Sequence, residues 1–468
     1  MTNDEPRDSL GQRKLNVGFV ALTAAIGGLL LGFDATVISG VVPFIREYFG
    51  LTGSGGDLKL GWAVSSLGWG AIAGNALSGV LSDRFGRRNV LMCAAVLFVL
   101  SALLAALATT LTMFVTARII GGLAVGAAIL IAPVYIAEIA PAGRRGGLVS
   151  LNQLMIVIGI SASFFSNYLL LGVEHNWRWM LGVQIFPALL YLLLLWMIPE
   201  SPRWLLMKGR DDQALDVLSR VGSPEQAQES LRQIRASLAG KGEARGFRGL
   251  LDRRIRFIML IALGLAFFQQ ITGINAIFYY LPTIFEQAGG GVSAAFRQAV
   301  LVGVVNVVMT VVAIWLIDRI GRRPLLAIGV AGMALSLLTI AWAFSQADSQ
   351  VDAVDARLVL IAIIGFVASF AISLGPVMWV LLSEIFPNEY RGAAISAAGF
   401  WNAVVSASVT FIFPWELSTL GAAGTFLVYG IFASAALLFV LMFIPETKGR
   451  TLEELEGELM SAAAPGRQ

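Results

Sequence analysis

The chain has 468 residues, of which 57% are hydrophobic and 13% are charged, with a formal net charge of +3 at pH 7. Soluble proteins carry about 25% charged residues, so this composition excludes an ordinary soluble domain and favours a protein embedded in lipid. Its basic residues lie in loops beside apolar runs, without interleaved aromatic residues, which argues against binding to nucleic acid. One histidine and one cysteine exclude a histidine relay, a histidine-rich metal site and an internal disulfide, so no metal and no cofactor are expected.

Twelve apolar runs are long enough to cross a bilayer, which takes about 20 residues in a helix. They are residues 16–44, 60–82, 89–109, 113–138, 147–171, 179–199, 256–284, 297–317, 325–345, 357–384, 393–416 and 423–444. Most arginines and lysines beside these runs lie at one set of span ends, and the opposite loops hold only scattered ones. Basic loops favour the cytoplasm, so we expect a multi-pass protein of the cell membrane with both termini cytoplasmic.

One long polar segment, residues 200–255, separates the sixth and seventh runs. In it, Ser223 followed by Pro224 is typical of a helix N-cap with proline in the first turn. The apolar residues that follow recur at helical spacing, at Leu231, Ile234 and Leu238. We therefore predict a short amphipathic helix on the cytoplasmic surface, and we find no catalytic constellation in this segment.

A charged motif occurs twice, about half the chain apart. The first copy comprises Asp83-Arg84-Phe85-Gly86-Arg87-Arg88, then Glu138 and Arg145, then Pro199-Glu200-Ser201, and the second comprises Asp318-Arg319-Ile320-Gly321-Arg322-Arg323, then Glu384 and Arg391, then Pro445-Glu446-Thr447. Charges repeated at a nearly constant offset between apolar runs indicate a duplicated membrane domain, as in secondary transporters. The predicted fold is an all-α membrane protein with 12 transmembrane helices in two pseudo-symmetric six-helix bundles. Its parts are a tail (1–15), the first bundle (16–199), a linker (200–255), the second bundle (256–444) and a tail (445–468).

Further motifs resemble those of one known family over essentially the whole chain. They are Gly-Phe-Asp-Ala-Thr-Val-Ile-Ser-Gly at 32–40, Arg118-Ile119-Ile120-Gly121-Gly122, Pro199-Glu200-Ser201-Pro202-Arg203-Trp204-Leu205, Gln269-Gln270-Ile271-Thr272-Gly273-Ile274-Asn275, Tyr279-Tyr280, and Pro445-Glu446-Thr447-Lys448-Gly449-Arg450. The chain resembles sugar porters of the major facilitator superfamily. Among them it is similar to bacterial proton-linked sugar symporters of the D-xylose transporter type, as the sequence around Trp379 also suggests.

This resemblance implies a sugar-binding site made of carboxamides and aromatic rings, which suit hydroxyl groups and an apolar ring face. The implied residues are Gln153, Gln269, Gln270, Asn275, Asn306, Trp379, Trp401 and Asn402, with Tyr279 and Tyr280 lining an extracellular gate. On an unbroken helix Gln270 and Asn275 would point about 140° apart, so we expect a break at Gly273 that lets both face one cavity. A second break is expected at Gly375-Pro376. The alternative reading of the amides is interhelical hydrogen bonding, and that of the tryptophans is packing.

Two positions depart from the pattern of the family. Leu31 stands where many relatives carry an aromatic residue, and Phe400 stands where xylose-type relatives tend to carry a glutamine. Less polar contact with the sugar would favour a hexose over xylose or broaden acceptance. The identity of the sugar therefore stays open at this point.

Asp34 and Arg118 lie within the first and fourth apolar runs, both roughly 27 to 30 Å from the cytoplasmic end at the helical rise per residue. An unpaired charge at that depth is costly, so we expect the two side chains to pair. The resemblance implies that Asp34 takes up and releases the coupled proton. A purely structural ion pair is the alternative.

The duplicated motif predicts ion pairs at the cytoplasmic ends of the spans. We expect Arg87, Arg88, Arg322 and Arg323 to reach Glu138 or Glu384, and Arg145 and Arg391 to complete the set. Exposed pairs are each worth about 0–1 kcal/mol, which suits a latch that several weak pairs hold and that opens in every cycle. The predicted cytoplasmic salt-bridge network is Asp83, Arg87, Arg88, Glu138, Arg145, Asp318, Arg322, Arg323, Glu384 and Arg391. The alternative is a topology signal alone, although such a signal needs no carboxylates.

The sequence thus favours a proton-coupled symporter of a monosaccharide, a pentose or hexose such as xylose or glucose, working by alternating access. A facilitative sugar or polyol uniporter and a non-transporting sugar sensor remain alternatives; sensors commonly carry long cytoplasmic tails, and about 20 residues follow the last run. The sequence has no nucleotide-binding P-loop, which argues against a primary pump, and no enzyme activity is expected. Expected partners are the monosaccharide, the proton and the lipid bilayer, with no nucleic acid and no obligatory protein partner.

Overall fold

The protein is described from a computed structural model, which covers residues 15–221, 223–239, 249–250, 252, 255–348 and 354–449. The first part of the chain forms α1 (Val17–Tyr48), α2 (Gly53–Phe85), α3 (Arg87–Ala106), α4 (Leu111–Ile139), a 3₁₀ turn (Ala142–Arg144), α5 (Arg145–Leu170), α6 (Asn176–Gly182) and α7 (Ile185–Met197). The linker forms α8 (Pro202–Met207), α9 (Asp211–Val221) and α10 (Pro224–Ala239). The second part forms α11 (Arg256–Ile271), α12 (Ile274–Tyr279), α13 (Leu281–Gln287), α14 (Val292–Ile320), α15 (Arg322–Asp348), α16 (Ala356–Ile372), α17 (Leu374–Ile385), α18 (Asn388–Thr419) and α19 (Gly421–Phe443).

Within the described residues, 11 helical segments are long and apolar enough to cross a membrane. Three of them combine two consecutive helices, namely α6 with α7, α11 with α12, and α16 with α17. The helix α2 has 33 residues, but glycines and serines make it less hydrophobic than the others. It packs among the spanning helices and occupies the second position of the predicted twelve. The predicted all-helical membrane fold is confirmed.

Two spans in the second half are broken. The seventh is interrupted at Gly273, whose φ of 84° ends α11 and starts α12, as predicted. The tenth is interrupted at Ser373, so the predicted break at Gly375-Pro376 was placed two residues too late. The physical reason lies in the geometry of proline. Pro376 offers no N–H to the carbonyl of Ile372, and its ring clashes with that carbonyl, so the helix ends before it.

The two halves touch each other on one side of the molecule. We call the span ends that carry the duplicated arginine motifs the basic end, and the other ends the opposite end. At the opposite end, a Cβ on Gly303 would lie 3.0 Å from the Phe164 ring, and the rings of Phe164 and Phe278 are 6.2 Å apart. The rings of Trp62 and Phe411 likewise meet, edge to face, between the two halves. The apolar core of the second half continues into the opposite end of the first half.

The basic end of the first half has a separate core, built from α1, α3, α4 and α7. The two halves are therefore packed together at the opposite end, and at the basic end the first half has an apolar core of its own.

The linker packs against the basic end as a small helical layer. The N–H of Gln226 donates to Ser223 Oγ at 3.3 Å, which confirms the predicted N-cap. Leu231, Ile234 and Leu238 pack on a cluster that includes Trp204, which confirms the amphipathic helix.

Candidate functional site

The break in the seventh span brings two predicted amides together. Because Gly273 turns the chain between α11 and α12, Asn275 Nδ2 donates to Gln270 Oε1 at 2.9 Å. A continuous helix would point these side chains apart. The structure thus gives both amides a common face.

A hydrogen-bonded cluster extends from this pair across three spans. Asn402 Nδ2 on α18 donates to Gln269 Oε1 at 2.8 Å, and Gln270 Nε2 donates to Asn402 Oδ1 at 3.1 Å. Gln269 Nε2 donates to the carbonyl of Leu374 at 2.7 Å, beside the break of the tenth span. We call Gln269, Gln270, Asn275 and Asn402 the amide cluster. Breaks in two spans and one face of α18 together create it.

One member of this network was missed from the sequence. Ser406 Oγ lies 2.7 Å from Asn275 Nδ2, four residues after Asn402 on the same face of α18. A single serine in a span gives no signal of its own, since serines commonly bond to their own helix. Only the position of Asn402 one turn earlier would have pointed to it.

The other predicted sugar-site residues are not hydrogen-bonded to the amide cluster. Asn306 is buried and Gln153 is exposed, and neither forms a hydrogen bond with any residue in the described ranges. Trp379 and Trp401 are 41% and 39% exposed. Trp379 covers Gly399, where a Cβ would lie 3.5 Å from the indole. These side chains have free polar groups or ring faces to offer to a ligand.

The two predicted gate tyrosines end the broken segment α12. Tyr280 is buried, donates from its hydroxyl to the carbonyl of Thr410 at 3.4 Å, and packs against Phe413 with ring centres 5.0 Å apart. Tyr279 is partly buried, and its helix α12 packs against α1, which carries Asp34. The helix α12 therefore carries one amide of the cluster and also contacts the helix that carries Asp34.

Asp34 and Arg118 form the predicted ion pair. Arg118 Nη1 donates to Asp34 Oδ1 at 2.5 Å, and Nη2 donates to the carbonyl of Asp34 at 3.0 Å. Both side chains are almost fully buried. The second carboxylate oxygen, Oδ2, has no hydrogen-bond partner among the described residues. One oxygen is thus neutralised by the guanidinium and the other remains available.

The duplicated charges pair within each half. Arg87 pairs with Asp83 and with Glu138, each at 3.0 Å, in the first half. Arg322 pairs with Glu384 at 2.8 Å in the second half. We call these two sets the paired charge motifs. Each is completed by a hydroxyl, since Ser201 bonds to Glu138, and Thr447 bonds to Glu384 at 2.5 Å.

Four other members of the predicted network do not follow the expectation. Arg88 and Arg323 do not reach Glu138 or Glu384, and instead donate to the carbonyls of Ile198 at 3.0 Å and Leu441 at 2.6 Å. Each of these arginines follows one that already binds the carboxylate, so on a helix it points elsewhere. Arg391 donates to the carbonyl of Phe386, and Arg145 is exposed with no ion pair to a described residue. The side chain of Asp318 lies outside the described residues.

A second pair of carboxylates, Glu200 and Glu446, belongs to the duplicated motif, and the sequence alone did not indicate a role for them. Glu200 accepts from the N–H groups of Arg87 and Arg88 at 3.0 and 3.1 Å, and so caps the start of α3. Glu446 accepts from the N–H groups of Arg322 and Arg323 at 3.0 and 3.2 Å, and so caps the start of α15. The signal was present, because both glutamates recur with the duplicated motif.

The two capping glutamates differ in their environments. Burial raises the pKa of Glu200, and hydrogen bonds from the N–H groups of Ser201, Arg88 and Arg87 offset this only in part. Burial also opposes ionisation of Glu446, but there the backbone hydrogen bonds, from Lys448 first, outweigh it and lower the pKa.

Several known proteins are similar to this chain over nearly its full length. The arabinose-proton symporter of Bacillus subtilis is 39% identical over 455 residues, which are 95% of this chain and 96% of that protein. The D-xylose-proton symporter of Escherichia coli is 39% identical over 473 residues, covering 93% and 94% of the two chains. A glucose transporter of Staphylococcus epidermidis is 37% identical over 449 residues, covering 95% and 98%.

The fold matches solved structures equally broadly. The inward-open conformation of the xylose transporter of E. coli has a TM-score of 0.83 and 36% identity, covering 95% of this chain and 100% of that chain. The proton:xylose symporter bound to 6-bromo-6-deoxy-D-glucose has a TM-score of 0.76 and 37% identity, covering 95% and 99%. The family model described as sugar (and other) transporter matches residues 20–459. The chain therefore belongs to the sugar (and other) transporter family, in the sugar porter branch of the major facilitator superfamily, and is a multi-pass membrane transporter rather than an enzyme.

Proposed function

We propose that this protein is a proton-coupled symporter of a monosaccharide, a pentose or a hexose, that works by alternating access in the cell membrane. Relatives with nearly the same length are named as symporters or transporters of arabinose, xylose and glucose. The basic end would face the cytoplasm, and so would both termini. The bilayer, the sugar and the proton are the partners this proposal requires, and no protein partner is needed.

The amide cluster supports a polyhydroxylated substrate. Carboxamides both donate and accept hydrogen bonds, as sugar hydroxyls do. In the cluster these groups bond to one another, so an incoming sugar can exchange those bonds for its own without leaving a buried group unpaired. Gln153 and Asn306 add amides that have no bond to another described residue, and the exposed rings of Trp379 and Trp401 offer apolar faces.

The buried ion pair is the observation that carries the coupling proposal. An ionisable pair inside a membrane-spanning helix is costly and is normally retained for function. Asp34 Oδ2 has no partner among the described residues, so a proton can add there while Oδ1 still faces Arg118. Neutral Asp34 would bind Arg118 less strongly, and the contact between α1 and α12 would pass this change to the broken seventh span.

The packing of the halves supports an inward-facing state. The halves share an apolar core at the opposite end and not at the basic end, and the TM-score to the inward-open relative is 0.83, against 0.76 for the relative bound to 6-bromo-6-deoxy-D-glucose. In this state the paired charge motifs bond within their own halves. A latch between the halves would form when the basic end closes, with Arg145 and Arg391 turning to Glu384 and Glu138 across the interface.

The test is sugar transport by the purified protein in proteoliposomes. Counterflow with xylose, glucose, galactose, fructose and inositol identifies the substrate without a proton gradient. Asp34→Asn should keep counterflow and lose accumulation driven by a pH gradient. Counterflow by the same variant serves as its own control for folding and insertion. Full accumulation by Asp34→Asn would contradict the proton role.

The two alternatives predict different results in the same assay. A facilitative uniporter would show counterflow but no sugar-induced alkalinisation of the medium and no accumulation. A sugar sensor would bind a sugar from this panel and move none of it.

A further inference from the structure

A tyrosine from the last span fills the space behind the break in the seventh span. A Cβ on Gly273 would lie 2.7 Å from ring carbons Cδ2 and Cε2 of Tyr429, so the ring occupies the place where any other side chain would be. Tyr429 belongs to α19 and is 2% exposed. The ring therefore packs directly on the backbone of the one residue that turns α11 into α12.

The same ring is connected to the gate. The rings of Tyr429 and Phe413 are stacked, with centres 6.2 Å apart and planes at 15°. Phe413 in turn packs on Tyr280 at 5.0 Å. One aromatic row thus runs from the break to the tyrosine that follows α12.

A carboxylate in the last turn of α18 holds this tyrosine in place. Tyr429 Oη donates to Glu416 Oε2 at 2.7 Å. Glu416 lies in the spanning helix α18, is half-buried, and has no ion pair with any residue in the described ranges. The one side-chain hydrogen bond of Glu416 among the described residues goes to the buried Tyr429, so we expect the carboxylate to fix the orientation of that ring.

We propose that Tyr429, oriented by Glu416, is a positioning residue that holds the seventh span in its broken form and thereby keeps Gln270 and Asn275 on one face. If the ring moves, residues 271–273 gain room to approach a continuous helix, and the two amides turn apart. Tyr429 touches neither of them and acts through Gly273. The inference rests on the proposed sugar site for its effect on binding, but not for its effect on the backbone.

Hydrogen–deuterium exchange of the purified protein tests the backbone effect without any substrate. Tyr429→Leu should speed amide exchange in peptides covering residues 271–280 by about fivefold or more, because local opening controls exchange. Tyr191→Leu is the matched control, since Tyr191 is equally buried but lies in the first half and its hydroxyl has no described partner. It should leave exchange at 271–280 unchanged. Unchanged exchange there in Tyr429→Leu, or an equal rise throughout both halves, would overturn the proposal.

Transport kinetics test the effect on binding with gentler variants. In D-xylose or D-glucose counterflow, Tyr429→Phe and Glu416→Leu should each raise KM about threefold and leave Vmax little changed. The double variant should raise KM no further, because both substitutions remove the same hydrogen bond. Glu416→Gln keeps an oxygen that accepts from Tyr429 and should restore a normal KM. Additive effects, or a loss of Vmax with constant KM, would refute the positioning role. If no sugar of the panel is transported by the unaltered protein, the proposed function fails while the exchange result still decides this inference.

Discussion

The free oxygen of Asp34 faces a space that a glycine leaves open. A Cβ on Gly121 of α4 would lie 2.8 Å from Asp34 Oδ2 and 2.5 Å from Ser101 Oγ of α3. Ser101 itself donates to the carbonyl of Ala117 at 2.8 Å. The space for a proton on Asp34 Oδ2 is thus formed by three helices, α1, α3 and α4, which meet at this point.

Replacing Gly121 should therefore damage coupling. In Gly121→Ala the added methyl group lies too close to Oδ2, so either the carboxylate shifts or the protonated form loses its space. We expect pH-driven accumulation to fall about tenfold or more, as a disturbance of about 1.4 kcal/mol or more would produce. The measurement is the sugar accumulation ratio in proteoliposomes. Gly79→Ala, where a Cβ would meet nothing within 4 Å, is the control and should accumulate normally.

Pairing of Asp34 with Arg118 could be predicted from the sequence because depth along a helix follows from residue number alone. The free oxygen could not, since it depends on which faces of α3 and α4 turn toward α1. Hydrophobic periodicity gives no guide to that rotation in helices that are apolar all round.

The break at Gly273 combines an unusual backbone angle with close packing. A second glycine, Gly289, has nearly the same φ, 86°, but a Cβ on it would meet nothing within 4 Å. The two positions therefore separate the cost of the backbone angle from the cost of the contact with Tyr429.

Gly289→Ala should lower the free energy of unfolding by roughly 1–2 kcal/mol, the cost of a side chain at this backbone angle. Gly273→Ala should cost clearly more and should also raise KM, because the methyl group and the Tyr429 ring cannot both keep their places. Thermal unfolding in detergent and counterflow kinetics measure the two effects. If the two variants lost the same free energy of unfolding, the contact with Tyr429 would make no contribution at Gly273.

The helix starts of α3 and α15 depend on carboxylates that are distant in the chain. For Glu446, hydrogen bonds lower the pKa below the ordinary value, so its contribution to stability is present at neutral pH and is lost as the pH falls through that lowered pKa. Glu446→Gln should lower the unfolding temperature at pH 7. Below pH about 4, where glutamate is protonated, the unfolding temperatures of the variant and the unaltered protein should become more similar. Thermal unfolding followed by circular dichroism across this pH range gives the result. A constant difference at all pH values would exclude a role for the charge.

Break positions show where prediction from sequence ends for these spans. The break at Gly273 was predictable because Gln270 and Asn275 would point apart on a continuous helix and could share one face only if the helix was interrupted between them. The break at Ser373 was placed late because the proline that causes it acts on the preceding turn. The caps at Glu200 and Glu446 repeat in the sequence, but the fold decides which N–H groups they meet.

The two halves pack so closely at the opposite end that small residues are required there. A Cβ on Gly61 of α2 would collide with the carbonyl of Phe411 on α18. These contacts belong to the state that is closed at this end. A larger side chain would disfavour that state relative to the reverse one.

Gly61→Leu should therefore shift the protein toward the state open at the opposite end. In a Cys93→Ser background, Gln153→Cys provides a label site in the proposed cavity, and a membrane-impermeant maleimide reports its accessibility. Labelling from the basic end should slow and labelling from the opposite end should accelerate, because a clash that costs about 1 kcal/mol shifts the equilibrium between the two states about fivefold. Gly79→Leu on the same helix is the control and should label like the unaltered protein. The reverse pattern would contradict the assigned direction of opening.

For the molecule as a whole, duplication of the charged motif predicted two equivalent halves. It did not predict that the charges would pair within each half, because helical spacing fixes which residues share a face and not which half supplies the partner. Which half supplies the partner depends on the conformational state, and the sequence does not indicate which state the structure adopts.

The capping glutamates also bear on how the chain is made. Glu200 follows the last span of the first half, and Glu446 follows the last span of the second. Each capping glutamate is therefore synthesised after the spans of its own half. Until Glu200 is synthesised, the exposed N–H groups at the start of α3 have no carboxylate. We expect the first half to mature in the translocon before the second emerges, and two fragments divided within the linker to assemble when they are co-expressed.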